Sequence, residues 1–227
     1  MTRRILLGLA AGLLAFSLGA WEARAGQVSL PSTLATLEVA GNYAVVGNFT
    51  FSGFTYVPTP LDSPPATDAV TVNAFTSVPD ERGITFNGAF VAGPGQTVDY
   101  AIQYMVTAAP GTHIDDAYLS LGGFANGGGT GSVSIGETIL NTAGTVISQV
   151  PFEVFTPNQT SIRTTLAMPE STIIVQKDIT VFGGSMGATF SFANQGFSAP
   201  EPASLALLGI GLTGLFTVRR FFKWAAA

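Results

Sequence analysis

From residue 97 to 107 the sequence alternates strictly. Val98, Tyr100, Ile102, Tyr104 and Val106 fall on one side, and Thr97, Asp99, Ala101, Gln103 and Thr107 on the other. A period of two places successive side chains on opposite faces of an extended chain, so this segment is a strand with one apolar face. A second run interleaves Ile173, Val175, Lys177, Ile179 and Val181 with Ile174, Gln176, Asp178, Thr180 and Phe182. Both of its faces are partly apolar, which predicts a strand covered on both sides. Nothing between residues 26 and 197 sustains a helical period.

The same reading places further strands at 42–56, 68–76, 83–91, 114–121, 131–140, 145–155, 160–168 and 187–197, all rich in Val, Ile, Thr, Phe and Tyr. Breaks recur between them at Pro94-Gly95, Pro110-Gly111, Gly122-Gly123, Pro157-Asn158, Pro169-Glu170 and Gly183-Gly184. About ten strands with Gly/Pro turns and no helices predict an all-β domain, a two-sheet antiparallel β-sandwich. Jelly-roll and immunoglobulin-like topologies remain open at this point, and a closed barrel is the runner-up. Asn87-Gly88 would leave very short hairpin arms, so 83–91 stays one strand. The four prolines within 57–69 mark an extended loop between early strands.

The two ends read as addresses. Arg3 and Arg4 precede an uncharged stretch over residues 5–18, and Ala23-Arg24-Ala25 supplies a small-x-small cleavage pattern. That layout predicts a signal peptide over 1–25, handled by the export machinery and cut by signal peptidase between Ala25 and Gly26. At the other end, Pro200-Glu201-Pro202 precedes an uncharged stretch over 203–218, closed by Arg219, Arg220 and Lys223. As a transmembrane helix this stretch would extend about 24 Å, short of a ~30 Å hydrocarbon core, with flanking aromatics and snorkelling cations extending it. The basic end would stay cytoplasmic, placing the domain at 26–199 outside.

The tripeptide Pro200, Glu201 and Pro202, the apolar stretch and the basic pair Arg219 and Arg220 together resemble the PEP-CTERM sorting signal of exported bacterial proteins. Ala199 stands where that family often carries Val. The resemblance rests on about twenty residues, under a tenth of the chain, and places the sorting signal at 200–227. It implies recognition and removal of the tail by an exosortase-like membrane enzyme, with delivery to the cell surface or to an exopolysaccharide matrix. The segments 115–120 and 176–185 also look like β-rich ectodomains that accompany this tail, a likeness that brings no biochemical role with it.

Charge and composition narrow the function classes. Between residues 26 and 200 there are three Lys+Arg (Arg82, Arg163 and Lys177) against twelve Asp+Glu, a net of 3 − 12 = −9. No basic face is left to neutralise phosphates, so nucleic-acid binding is excluded. The chain has no cysteine, which removes disulfides and thiolate metal sites. No metal or cofactor is expected.

Candidate chemistry is thin. His113 is the only histidine and has Asp115 two residues on, but no Gly-x-Ser-x-Gly elbow accompanies it, so it reads as a turn-edge residue. The glycines at 127, 128, 129 and 131 lack the lysine and following helix of a phosphate loop, and read as a flexible turn. Asp115, Asp116, Glu137 and Asp178 lack calcium-loop spacing and read as solvated edge carboxylates. Tyr100 and Tyr104 sit on the apolar side of their strand, so both are expected in the core with free edges for their hydroxyls. Both tryptophans, Trp21 and Trp224, lie in the terminal segments, which leaves the domain without the flattest sugar platforms. The sequons at Asn48 and Asn158 read as accidental in a bacterial protein.

The expectation is therefore an exported structural or adhesive protein without catalytic residues. The alternative is an exopolysaccharide-binding module, and a polysaccharide-active hydrolase is a third reading. With few lysines to blunt its sheet edges, self-association is also expected.

Overall fold

The computed structural model describes residues 26–59, 66–148, 153–156 and 158–199. Twelve strands and one helical turn lie among them. In chain order they are β1 (Ser32–Thr33), α1 (Leu34–Glu38), β2 (Tyr43–Val46), β3 (Phe49–Thr59), β4 (Thr71–Phe75), β5 (Arg82–Ala92), β6 (Thr97–Ala108), β7 (Ile114–Gly122), β8 (Ser132–Asn141), β9 (Glu153–Phe155), β10 (Ser161–Glu170), β11 (Thr172–Phe182) and β12 (Ala188–Ser198). They form two six-stranded sheets, ordered β1-β4-β5-β12-β7-β10 and β2-β3-β6-β11-β8-β9. All paired strands are antiparallel, and neither sheet closes on itself.

The last eight strands have the order of a jelly roll. β5-β12-β7-β10 form one four-stranded half, β6-β11-β8-β9 the other, and consecutive strands from β5 to β8 alternate between them. The first four strands widen each sheet at one side, β4 and β1 beyond β5, β3 and β2 beyond β6. The sandwich is the architecture the alternation predicts, and the strand order resolves its topology.

The core lies between the sheets. Val98, Tyr100, Ile102, Tyr104 and Val106 are all buried, as their alternation requires. Phe86 from the first sheet and Phe51 and Phe54 from the second pack around Tyr104, while Phe90 meets Tyr100 edge-on at 5.2 Å. The Tyr100 hydroxyl donates to the Val91 carbonyl oxygen at 3.2 Å. The expectation of free edges fails for Tyr104, whose hydroxyl is buried without a partner among the described residues.

Several boundaries differ from expectation for local reasons. The segment 42–56 is a hairpin, because Gly47 takes φ 58° as the first of two turn residues, the arrangement of a type II′ turn. The expected loop from 57 begins later, since β3 runs to Thr59. Pro58 is tolerated there because β2 ends level with Ser52 and leaves that side of β3 open. The described residues of segment 145–155 do not form one strand. Leu140 and Val146 bridge across a turn at Gly144, and only β9 is regular. Asn87-Gly88 does stay inside one strand, as a bulge opposite β12. The helical turn α1, against the expectation of no helices, is capped by the Thr33 side chain and buries Leu34 and Leu37. One turn is too short to show a helical period.

β11 also differs. Its odd-numbered residues face the core, whereas Gln176, Asp178 and Phe182 are exposed, so the strand is covered on one side only. Lys177 consequently sits on the core face between Val175 and Ile179.

Candidate functional site

Antiparallel register brings the outward residues of the second sheet into rows. One row reads Thr55, Gln103, Gln176 and Thr138 across β3, β6, β11 and β8. The next reads Val57, Ala101, Asp178, Gly136 and Glu153 and extends to β9. The second row has small residues at Ala101 and Gly136, and a Cβ at Gly136 would meet nothing within 4 Å. The result is a trough of about 590 Å³ on the outer face of the sandwich. Its wall includes two amides joined by a hydrogen bond from Gln176 Nε2 to Gln103 Oε1, 3.0 Å. Asp178 stands in the trough with its pKa raised, first by partial burial and then by Asp99 on β6. Glu153 lies two strands away beyond Gly136, so carboxylates flank the gap at a backbone separation of roughly 10 Å.

This trough offers carboxylate and amide acceptors, amide donors and small apolar patches, the groups that hold sugar hydroxyls. Among the described residues it contains no cation to pair with an anionic ligand, because the Lys177 side chain is buried in the core.

A second arrangement lies on the outer face of the first sheet. Phe75, Gly83, Gly196, Tyr118 and Arg163 share a row across β4, β5, β12, β7 and β10. The two glycines let the Phe75 and Tyr118 rings lie down and stack at 5.9 Å. Beside them Glu81 is completely buried, although it precedes β5 in a loop. Asp80, immediately before it, is the one non-glycine residue at positive φ (64°) among the described residues. Burial pushes the Glu81 carboxyl up to about 7, helped by Asp116 and opposed by Arg163. Arg163 Nη2 lies 2.7 Å from Glu81 Oε1 and Nη1 lies 3.6 Å from Asp116.

The third arrangement is in the core. Lys177 Nζ donates to Glu137 Oε2 on β8 and, across the sandwich, to Gln195 Oε1 on β12 at 2.8 Å. The expectation of a solvated edge carboxylate fails for Glu137. The structure corrects it, because Glu137 falls on the inward parity of β8 with Val133, Ile135 and Ile139. Burial pushes the Glu137 carboxyl up and the Lys177 ammonium down, and their mutual attraction opposes both shifts.

The other residues singled out from sequence are dispersed. His113 is exposed just before β7 and has no hydrogen bond to Asp115. Asp115 and Asp116 are half-buried on β7, in the sheet opposite Glu137 and Asp178. Asp178 is exposed, but on a central strand rather than an edge. Gly127 and Gly128 take positive φ in a turn, as expected of that glycine run. The cleavage residues Ala23 and Ala25, the tail residues Pro200, Glu201, Pro202, Arg219 and Arg220, and the stretch 203–218 lie outside the described residues. No helix among the described residues is long and apolar enough to cross a membrane.

Comparison with known proteins identifies the tail. Residues 198–220 match the family model of the PEP-CTERM protein-sorting motif, so the chain carries that exosortase-type signal of exported proteins. No curated protein matches the chain. Among solved structures, the active domain of bacteriophage CBA120 tailspike protein 4 has 16% identity and a TM-score of 0.28. It aligns with 63% of this chain, and the chain spans only 19% of it. TmCBM61 in complex with β-1,4-galactotriose has 12% identity and a TM-score of 0.30, over 63% of this chain and 88% of that one. A carbohydrate-binding module of the β-sandwich superfamily gives 15% identity and 0.29, over 68% and 58%. Likenesses at these scores assign nothing to this chain.

Proposed function

We propose that this chain is a non-catalytic exported protein, displayed at the cell surface or in the extracellular matrix as a structural or adhesive β-sandwich. The observation that carries this reading is where the sorting motif starts. The match begins at residue 198, and β12 ends at Ser198, so the signal follows directly on a central strand of the first sheet. Cutting near Pro200 would leave the sandwich whole and attachable through the end of β12. Peptide mapping of the protein from its native cells tests this. A C-terminus near Pro200 supports sorting by processing, and Ala substitution of Pro200, Glu201 and Pro202 should retain the tail. A mature terminus at Ala227 would refute it.

A second reading is favoured by the trough. Acceptor groups without a cation suit an uncharged or amine-bearing polysaccharide and repel a polyanionic one. Here Asp178, Gln103, Gln176 and Glu153 act as hydroxyl partners, and Ala101 and Gly136 provide room. Affinity electrophoresis in gels containing neutral or anionic polysaccharides checks this. Retardation by neutral polymers, abolished in Gly136→Tyr, supports binding. Release of reducing ends would overturn the non-catalytic reading and point to Asp178 and Glu153 as acid and base.

A further inference from the structure

Three polar side chains from three strands meet in the middle of an otherwise apolar core. Lys177 projects from β11 between Ile102 and Glu137, its register neighbours, and Gln195 projects from β12 between Ile84 and Leu119. All three polar residues are buried, and the lysine contacts both of the others. Among the described residues the hydrogen bonding is incomplete: the nearby Tyr104 hydroxyl has no partner, and Glu137 Oε1 and Gln195 Nε2 make no hydrogen bond of good geometry, although the Gln195 side chain still lowers the Glu137 carboxyl pKa. A partly satisfied buried ion pair stabilises a core less than apolar side chains of the same volume. Stability alone therefore gives no reason for this trio, whereas its chemistry does.

We propose that Lys177 and Gln195 condense into an intramolecular amide, with Glu137 transferring the protons, so that the two sheets become covalently joined through the core. The lysine first passes a proton along its hydrogen bond to Glu137 Oε2, giving a neutral amine and a carboxylic acid. Burial favours those neutral forms over the ion pair. The Nζ lone pair attacks Gln195 Cδ, the carbon bonded to the Oε1 that Nζ already touches, and the carbonyl π pair moves onto Oε1. Glu137 protonates Nε2 and receives the second proton released by Nζ. The tetrahedral centre then collapses, the Cδ–Nε2 bond breaks and ammonia leaves. One C–N bond forms and one breaks, and nothing is oxidised or reduced. Of the two protons that Lys177 loses, one leaves with ammonia and the other stays on Glu137, which enters as the carboxylate and ends as the neutral acid. Immobilising amine and amide in contact supplies the orientation this slow reaction needs.

The link would close a ring between residues 18 apart, through the β11–β12 turn. β12 is also the strand that runs into the sorting motif. Load applied through the C-terminal end would pass from β12 to β11 by a covalent bond and not by strand hydrogen bonds alone. This inference does not depend on what, if anything, occupies the trough.

Mass spectrometry of the full chain isolated from its cells tests it. Chymotrypsin cuts between the two residues, at Phe182, Phe190 or Phe192. The expected product is one branched species carrying both Lys177 and Gln195, lighter than its two separate peptides by one ammonia, about 17 Da. Trypsin should also fail to cut after Lys177. Gln195→Glu should give the same branched species with loss of water instead, and Glu137→Gln should give separate peptides of full mass. Separate full-mass peptides from the wild-type chain would overturn the proposal, whatever the variants do. A link from Lys177 to Glu137 would overturn Gln195 as acyl donor, and wild-type levels of link in Glu137→Gln would overturn the proton-transfer role.

Discussion

Glu81 makes the pH dependence of this fold predictable. Its carboxyl is fully buried and holds its proton up to about 7, against an ordinary 4.5. Between those values the folded chain binds a proton that the unfolded chain has released, so unfolding free energy falls as pH rises. The contribution is complete below pH 4.5 and gone above 7. The difference of 7 − 4.5 = 2.5 units corresponds to about 3 kcal/mol. Glu81→Gln keeps the shape and cannot ionise. At pH 4 it should match the wild type within about 0.5 kcal/mol. At pH 8 it escapes the cost of the buried carboxylate, from which the attraction of the half-exposed Arg163 is already subtracted, because that attraction is one of the causes of the net value of about 7. The variant should therefore be more stable by about 3 kcal/mol, or roughly 6–12 °C in Tm for a domain of this size. Urea denaturation of both proteins from pH 4 to 8 gives the difference directly, because the other carboxylates contribute equally to each. Parallel profiles, or a wild type that gains on the variant as pH rises, would refute the reasoning, and with it the claim that desolvation outweighs Arg163 at this position.

Other outcomes follow from individual contacts. Gly136→Tyr fills open space on the outer face of a strand, so thermal melting should change by less than about 1 kcal/mol while retardation by polysaccharide is lost. Tyr104→Phe deletes a buried hydroxyl without a partner and should raise stability by about 1 kcal/mol in chemical denaturation. Gly83→Ala would put a Cβ 1.8 Å from the Gln195 carbonyl oxygen, so the cost should reach about 3 kcal/mol or more, read as lost soluble yield or a lowered Tm.

What is legible in the sequence follows from how local each signal is. The strand at 97–107 is readable because five apolar residues of one parity leave a single way to bury them. The hairpin at Gly47-Asn48 is hidden because its arms are apolar on both sides of the turn, so nothing in the pattern breaks at residue 47. β9 merges with the turn before it, since three residues are too few to show a period. The trough is invisible for a different reason. It is defined by Ala101 and Gly136 lying in one row with Asp178, and register between β6, β11 and β8 is a property of pairing that no single segment encodes.

The core trio is partly within reach of the same parity argument, applied to polar residues instead of apolar ones. Lys177 shares its parity with Val175 and Ile179, Glu137 with Ile135 and Ile139, and Gln195 with Ala193 and Phe197. For Glu137 the alternation by itself commits the polar residue to the interior, whereas the strands of Lys177 and Gln195 carry apolar residues on both parities and leave two choices. A single such exception reads as an error in the strand assignment. The structure turns all three, an amine, an acid and an amide, into the interior. Antiparallel register sets Lys177 opposite Glu137, and stacking of the two sheets sets Gln195 against Lys177. The sandwich thereby brings a nucleophile, an acyl group and a proton carrier into one water-excluded place, where reaction between them is favoured over solvation of any one. Because Gln195 lies on the strand that continues into the sorting motif, a bond formed there would fix the domain to its own point of attachment.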